Sequence, residues 1–414
     1  MDIPMTRRGL LGTAAALAAL GGGAAAASAE RPEHAGTAAL PPVKEHGSRR
    51  GTYVEQVLAA PGDWGVQNFR IPALAVAPNG DLLAAFDKRP VHGDSPSPNS
   101  IWQRRSTDGG RTWGEPEVVR AGNESSVPGE KLGYSDPSYV VDVETGTIFL
   151  FCVFSKDVGV WDGEYGNDDE DRRIMSANLS VSHDSGLTWE HRSLTEVVKP
   201  EDCRAMFASS GAGIQLRYGA HKGRLIQQYA GWFRNGSGGE DVSAYSVYSD
   251  DHGETWTMGT PVGTEMDENK VAELSDGTLM MNSREHVRTG RRWVAYSHDG
   301  GETWEDLHRD PSLVDPGNNA QLSRAYPDAP KGSAKAKVLL FSHADHVPHT
   351  RENGTIEIST DDGATWARKR VFAPGACQYS VIIPLGGDEF GLLYEAAQET
   401  ITFARLDMDW ILSR

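Results

Sequence analysis

Cysteine is scarce in this chain of 414 residues, and the shortage excludes a disulfide framework. The three cysteines, Cys152, Cys203 and Cys377, are odd in number, and two of them lie in apolar, strand-like segments. We therefore expect buried free thiols, although three thiols would allow one bridge. Basic residues are also few, because 40 of them face 58 acidic ones and leave a formal net charge of −18. This balance disfavours nucleic acid as a partner, and an anionic ligand would need a local group of arginines.

The chain also lacks an apolar run suited to crossing a membrane. The run near the N-terminus is short and rich in glycine, it follows Arg7-Arg8, and it ends at the cleavage-like pattern Ala27-Ser28-Ala29. Residues 1–29 are therefore interpreted as a secretory signal peptide. The paired arginines are similar to a twin-arginine export signal, while the Sec route stays open. Residues 30–50 show no periodicity and predict a disordered lead-in, so we expect a secreted protein without a stable membrane anchor.

One eight-residue pattern, S-x-D-x-G-x-T-W, recurs five times in the remaining chain. Its copies occupy residues 106–113, 182–189, 249–256, 297–304 and 359–366. An Asp followed two residues later by Gly is typical of a turn, because the carboxylate accepts backbone N–H bonds and Gly adopts a positive φ. The Trp then provides a large apolar anchor. The spacing of the copies is roughly that of a four-stranded propeller blade with a variable loop.

These octapeptides are similar to Asp-boxes, also called BNR repeats. The resemblance implies an all-β chain and a six-bladed β-propeller that occupies residues 51–414, with each box between the third and fourth strands of a blade. Such boxes lie away from the substrate and therefore indicate a fold without indicating an activity.

Candidate binding residues begin with Phe69-Arg70-Ile71-Pro72, which places an arginine inside an otherwise apolar strand. Taken alone, Arg70 is either a surface residue or a buried ligand-binding residue. Arg284 follows an apolar strand and Arg351 precedes one. Arginine is well suited to bidentate recognition of a carboxylate.

The F-R-I-P segment, the boxes, Arg284, Arg351 and the late Tyr379 together resemble the exo-α-sialidases, or neuraminidases, of secreted bacterial type. The resemblance covers essentially all of residues 51–414. It implies that Arg70, Arg284 and Arg351 bind the carboxylate of sialic acid. Glu395 matches the carboxylate that holds the first arginine, and the weaker alternative is a solvated glutamate at a strand end.

The same resemblance implies that Tyr379 is the nucleophile and that Glu268 is its base. A neutral phenol approaches an anomeric centre that bears a carboxylate without the repulsion that a second carboxylate would meet, and sialidases are the known exception to the two-carboxylate rule. A phenol with an ordinary pKa near 10 needs such a base. Without the resemblance, a tyrosine in a strand is interpreted as a packing residue.

Asp94, in a loop rich in Gly, Ser and Pro, matches the general acid of the first step and the base of the second. Its neighbours Asp81 and Asp87 match no family role. Arg89 and Asp267 match positions that contact the sugar.

No metal or other cofactor is expected. The segment from His343 to His349 contains three histidines, but its spacing in a Pro-containing loop gives no fixed ligand geometry.

The expected function is hydrolysis of terminal α-linked sialic acids from glycoproteins, glycolipids or oligosaccharides, with retention of configuration through a tyrosyl-enzyme intermediate, by a monomer. Two alternatives remain. One is a trans-sialidase that uses the same site and takes an aromatic acceptor platform from Trp161 or Trp232. The other is a non-catalytic propeller that binds sialylated glycans.

Overall fold

The computed structural model describes residues 44–45, 50–127, 129–346, 349–397 and 400–413. Strands dominate these residues, which confirms the predicted all-β class. The predicted signal peptide (1–29) lies outside the described residues, as does the lead-in (30–50) apart from residues 44–45 and 50. Among the described helices, none is long and apolar enough to cross a bilayer.

The first strands of the chain are β1 (Lys44–Glu45) and β2 (Tyr53–Ala59). One sheet follows with the order β3 (Asn68–Val76), β4 (Leu82–Arg89), β5 (Ser100–Ser106) and β6 (Glu117–Arg120). The next sheet contains β7 (Gly133–Val141), β8 (Ile148–Ser155), β9 (Ser176–Ser182) and β10 (Glu190–Ser193), which the helix α1 (Thr195–Val198) follows. A third sheet contains β11 (Cys203–Ala208), β13 (Ile214–Gln215), β14 (Leu225–Arg234), β15 (Glu240–Ser249) and β16 (Thr257–Met258), whereas β12 (Gly211–Ala212) pairs in parallel with β7.

The fourth sheet has the order β17 (Met266–Glu273), β18 (Leu279–Glu285), β19 (Arg291–Ser297) and β20 (Glu305–Val314). The last sheet joins β1 and β2 to β21 (Gln321–Arg324), β22 (Leu339–Ala344), β23 (Glu352–Ser359), β24 (Arg368–Gly386), β25 (Glu389–Ala396) and β26 (Thr400–Asp407), before the short helix α2 (Met408–Leu412). The first half of β24 pairs with β23 and its second half with β25.

Contacts between strands, most of them from different sheets, close a ring. β3 contacts β7, β7 contacts β11, β14 contacts β17, β17 contacts β21, β21 contacts β24, and β24 contacts β3. β2 also pairs with β26, so that strands from the two ends of the described chain share one sheet. The sheets therefore form a propeller-like arrangement, which removes most free sheet edges.

Each of the five octapeptides joins the third and fourth strands of a four-stranded antiparallel run, as predicted. In the first copy, Ser106 Oγ accepts the Gly110 N–H at 2.8 Å, while Asp108 Oδ1 accepts the Thr112 N–H at 2.8 Å and Oδ2 accepts its hydroxyl at 2.6 Å. Gly110 has φ of 86°. The same three contacts recur in the other copies, so the predicted turn chemistry is confirmed.

The tryptophan of a box anchors its blade to a neighbour. Trp113 packs edge-on against Phe403 of β26 with ring centroids 5.0 Å apart, and Trp256 packs against Phe149 of β8 at 5.4 Å. The three cysteines are buried and free, as predicted.

Candidate active site

Four strands that face the centre of the ring carry the same irregularity, a bulge in which two residues lie opposite one residue of the next strand. The bulged pairs are Ile71-Pro72 in β3, Asp136-Pro137 in β7, Asp267-Glu268 in β17 and Gln378-Tyr379 in β24. A bulge turns side chains away from strict alternation, which is why bulges are common beside active sites. Here the bulges bring side chains from four separate segments to one place.

These side chains surround a pocket of about 350 Å³. Eight of the nine residues predicted from the sequence line it: Arg70, Arg89, Asp94, Asp267, Glu268, Arg284, Arg351 and Tyr379. The ninth, Glu395, is fully buried behind Arg70. Residues that are far apart in the chain therefore meet in one site.

Tyr379 lies at the centre of the three arginines. Its hydroxyl donates to Glu268 Oε2 at 2.9 Å and accepts from Arg284 Nη1 at 3.4 Å. The guanidinium carbons of Arg70 and Arg351 lie 5.5 Å and 5.1 Å from the centre of its ring. Burial and the neighbouring Glu268 carboxylate raise the pKa of Tyr379 above its ordinary value, against the three arginines. The phenol is therefore neutral and needs a proton acceptor, and Glu268 is in contact with it.

Two of these arginines, Arg70 and Arg351, are held by groups that do not line the pocket. Arg70 Nε donates to Glu395 Oε2 at 2.8 Å, and the other oxygen of Glu395 accepts the Ile71 N–H at 2.6 Å. Arg351 donates to the Gly317 carbonyl oxygen at 2.8 Å and to Gln378 Oε1 at 3.2 Å. These contacts fix the guanidinium planes before a ligand arrives.

Arg284 lies across the bulge from both acidic residues of β17. Its Nη1 donates to Glu268 Oε2 at 2.6 Å, and its Nε lies 3.8 Å from Asp267 Oδ2. Asp267 Oδ2 also contacts His286 Nδ1 at 2.9 Å. Although burial opposes the shift, Arg284 and His286 lower the pKa of Asp267 to about 2, so this carboxylate is ionised.

Arg89, which also lines the pocket, forms ion pairs with two acidic side chains. Its Nη2 donates to Asp87 Oδ2 at 2.8 Å and its Nη1 to Asp94 Oδ1 at 2.6 Å. Asp87 Oδ1 in turn accepts the Asp136 N–H at 3.1 Å. Partial desolvation in the pocket would raise the pKa of the Asp94 carboxyl, but the Arg89 guanidinium outweighs this effect and lowers the pKa. Burial and the Asp87 carboxylate raise the pKa of Asp136.

Sequence reasoning missed several residues of the pocket: Asp136, His286 and Arg288 line it, and Asp87 supports Arg89. A pattern that would have revealed Asp136 is present in the chain. Ser135-Asp136-Pro137 repeats the arrangement of Arg70-Ile71-Pro72, and both residues before proline have positive φ, 60° and 61°. His286 and Arg288 have no comparable pattern, because their position depends on the β18–β19 loop.

One wall of the pocket is apolar. Val160, Met175, Phe207 and Trp232 line it, and Trp161 stands at the rim with 76% of its surface exposed. Trp161 and Trp232 pack edge-on with ring centroids 6.2 Å apart. The pocket therefore offers cationic, acidic and apolar surfaces to a single ligand.

In the part of the chain that the structure describes, one group of side chains has ligand atoms close enough for a metal ion: His343, Asp345 and Glu357. His343 Nε2 already contacts Glu357 Oε1 at 3.0 Å, and Asp345 pairs with Lys369 at 2.6 Å. None of these residues lines the pocket described above.

Asp-box turns on a propeller-like all-β fold define the class of BNR-repeat proteins. The chain belongs to this family: residues 80–392 match the family described as "BNR repeat-like domain".

Its relatives include a sialidase from Micromonospora viridifaciens, which is 52% identical over 87% of this chain and 54% of the relative's length. A sialidase from Bacteroides fragilis is 29% identical over 85% of this chain and 64% of its own length. The chain thus spans little more than half the length of the first relative. Among solved structures, the Hadza microbial sialidase Hz136 superposes with a TM-score of 0.77 at 28% identity and covers 86% of this chain and 69% of its own.

Proposed function

We propose that this chain is an exo-α-sialidase that hydrolyses terminal α-linked sialic acids with retention of configuration through a tyrosyl-enzyme intermediate. The observation that carries the proposal is the 2.9 Å contact between Tyr379 and Glu268 among three arginines. The similarity to sialidases of two bacterial genera supports it.

We also propose that the propeller has six blades and occupies residues 51–414, after a signal peptide (1–29) and a lead-in (30–50). The change of partner halfway along β24 supports this count, because it divides the longest sheet into two groups of four strands. One group consists of β21, β22, β23 and the first half of β24, and the other of the second half of β24, β25, β26 and β2. Secretion, a monomeric state and action on sialylated glycoproteins, glycolipids or oligosaccharides belong to the same proposal, as does a reaction that needs no metal or other cofactor.

In the proposed complex, the sugar carboxylate binds Arg70, Arg284 and Arg351. The two outer arginines are already oriented by Glu395 and by the Gly317 carbonyl, so little rotational freedom is lost on binding. Their positive charge attracts an anionic ligand, although the protein as a whole carries a net negative charge that would repel it. Arg89 and Asp267 would then contact the sugar's hydroxyl side.

In the first step, Tyr379 Oη bonds to the anomeric carbon as its proton passes to Glu268 Oε2. The glycosidic C–O bond breaks, and the leaving oxygen takes a proton from Asp94. In the second step, Asp94 accepts a proton from water, the water oxygen bonds to the anomeric carbon, and Tyr379 leaves with the proton that Glu268 returns. Two displacements at one carbon give net retention.

Asp94 is ionised in the free protein because Arg89 and its arginine neighbours lower its pKa against the effect of burial. A general acid must carry a proton when the bond breaks. A bound carboxylate offsets the charge of the arginines, so substrate binding raises the pKa of Asp94 toward the value that this role needs. Protonation of the acid is thereby coupled to occupation of the site.

A trans-sialidase remains the second candidate, because the exposed ring of Trp161 at the pocket rim offers a surface on which an acceptor sugar could stack. Transfer to added lactose, measured beside hydrolysis, distinguishes the two reactions.

The test of the proposed function is release of the fluorescent group from an aryl α-sialoside by the folded protein. We expect turnover, and an Arg70→Ala variant with wild-type circular dichroism should lose it. No release from folded wild-type protein would contradict the enzyme and would favour the glycan-binding alternative, which binding to immobilised sialylated glycans then checks.

A further inference from the structure

A lysine without an acceptor lies beneath the tyrosine–glutamate pair. Lys270 is two residues beyond Glu268 on β17, it is only 2% exposed, and its Nζ makes no hydrogen bond to any residue that the structure describes. A buried ammonium group without a partner is costly, so its presence calls for a reason other than stability.

The end of the Lys270 side chain lies where several sheets meet. A Cβ atom placed on Gly211 would lie 3.4 Å from Lys270 Cε, 3.1 Å from Val381 Cγ2 and 2.9 Å from Gln321 Oε1. Val381 is two residues beyond Tyr379, just as Lys270 is two beyond Glu268. Two residues advance a strand by about 7 Å, so Lys270 and Val381 form the layer directly below the Tyr379–Glu268 contact.

Three charged groups act on Lys270 from different strands. Burial lowers its pKa to about 7; Glu268 of β17 and Asp136 of β7 oppose the shift, whereas Arg292 of β19 adds to it. The uncharged Gly211, Gln321 and Val381 lie near the end of the same side chain. Among its charged neighbours, Glu268 has the largest effect on Lys270, and Glu268 is the group that contacts Tyr379.

We propose that Lys270 is a positioning residue for the reaction, whose ammonium group acts from below the pocket on the Glu268 carboxylate that accepts the Tyr379 proton. This inference rests on the proposed function. Arg284 of β18 also contacts Glu268, but Arg284 lines the pocket and faces the ligand carboxylate of the proposed complex. Lys270 does not line the pocket. Lys270 thus supplies a positive charge that ligand binding does not offset.

The first test is the pH profile of kcat/KM for Lys270→Met with an aryl α-sialoside. Methionine keeps most of the length of the side chain, being one atom shorter, and removes its charge. Without that charge Glu268 protonates more readily, so the acidic limb should move to higher pH by about one unit. Activity at the pH where that limb falls should drop by about tenfold.

The second measurement is thermal stability, and here the same variant should improve. Removing an unpaired buried charge should raise Tm by about 2–5 °C. The pKa of Lys270 in the folded state lies below its unfolded value, so the penalty is fully present below pH 7 and disappears as pH rises toward the unfolded pKa of about 10. The Tm advantage of Lys270→Met should therefore be largest below pH 7 and shrink toward pH 10.

Lys199→Met is the matched control. Lys199 is equally buried, but its Nζ donates to the carbonyl oxygens of Glu164, Gly166 and Cys203. Its replacement should lower Tm and leave the pH profile unchanged, because it lies outside the pocket.

An unchanged acidic limb in Lys270→Met, or a lower Tm, would overturn the inference. If Lys270→Met does not fold, Lys270→Gln takes its place, and failure of both to fold also overturns it, because an unpaired charge would then be needed for folding. Inactive wild-type protein would instead contradict the proposed function, so the two failures are distinguishable.

Discussion

The Asp-box turns and the central pocket use the same kinds of side chain in opposite ways. In each box the aspartate and serine oxygens accept N–H and O–H groups of the same turn, so that local donors are satisfied within eight residues. In the pocket, Arg70, Arg284 and Arg351 are oriented by protein groups while they still line open space. Below the pocket, Lys270 has no described acceptor. The boxes therefore stabilise the fold, whereas the arginines of the pocket are held by protein groups and still face open space.

The largest expected effect that tests this comparison is that of Tyr379→Phe. The change removes one oxygen, so kcat should fall by more than about 10³-fold while Tm stays close to that of the wild type. Steady-state kinetics on an aryl α-sialoside and a thermal melt measure the two quantities. Wild-type kcat in the folded variant would remove Tyr379 from the reaction.

The loss of rate in Asp94→Asn should depend on the leaving group of the substrate. An aryl oxide departs without full protonation, whereas a sugar hydroxyl does not, so the rate on natural sialoglycans should fall by about 10²–10⁴-fold and the rate on activated aryl sialosides far less. Equal losses on both substrates would show that Asp94 is not the general acid.

Arg351→Lys should weaken binding even though the charge is kept. Lysine lacks the planar fork that contacts both the Gly317 carbonyl and a carboxylate, so kcat/KM should fall by about 10-fold to 100-fold. Near-wild-type kcat/KM would place the carboxylate elsewhere in the pocket.

The smallest effect on activity should come from the boxes. Asp108→Ala removes the acceptor of four hydrogen bonds in the first box, so it should lower the free energy of unfolding by about 1–2 kcal/mol with unchanged kcat/KM. Asp328→Ala is the matched surface control, because the side chain of Asp328 is 85% exposed and should leave both quantities unchanged. Loss of activity in folded Asp108→Ala would contradict the claim that the boxes stabilise the fold without taking part in the activity of the pocket.

The boxes could be predicted from sequence because every partner of Asp108 lies within four residues of it. The spacing of their tryptophans then predicted the length of one blade. The pocket has no such local code: Arg70 meets Glu395 across 325 positions, and Tyr379 meets Glu268 across 111. The family resemblance, and not the local sequence, predicted that these residues share one site.

The environments of Asp136 and Lys270 could not be predicted from the sequence, although the Asp136-Pro137 pattern indicates where Asp136 lies. The raised pKa of Asp136 depends on burial beside Asp87, and Lys270 Nζ lacks a described acceptor at a place where its side chain lies close to Gly211 of another strand. The bulge that places Asp267 and Glu268 opposite Arg284 is a property of strand register, which a single strand does not encode. Burial and register are long-range properties, and they decide which side chains meet in the pocket.

The anomer that the wild-type protein releases first tests the central claim most directly. Proton NMR during hydrolysis of an aryl α-sialoside, recorded before mutarotation, separates α- from β-sialic acid. Two displacements through Tyr379 predict the α-anomer as the first product. Initial release of the β-anomer would mean a single displacement by water and would contradict the tyrosyl intermediate.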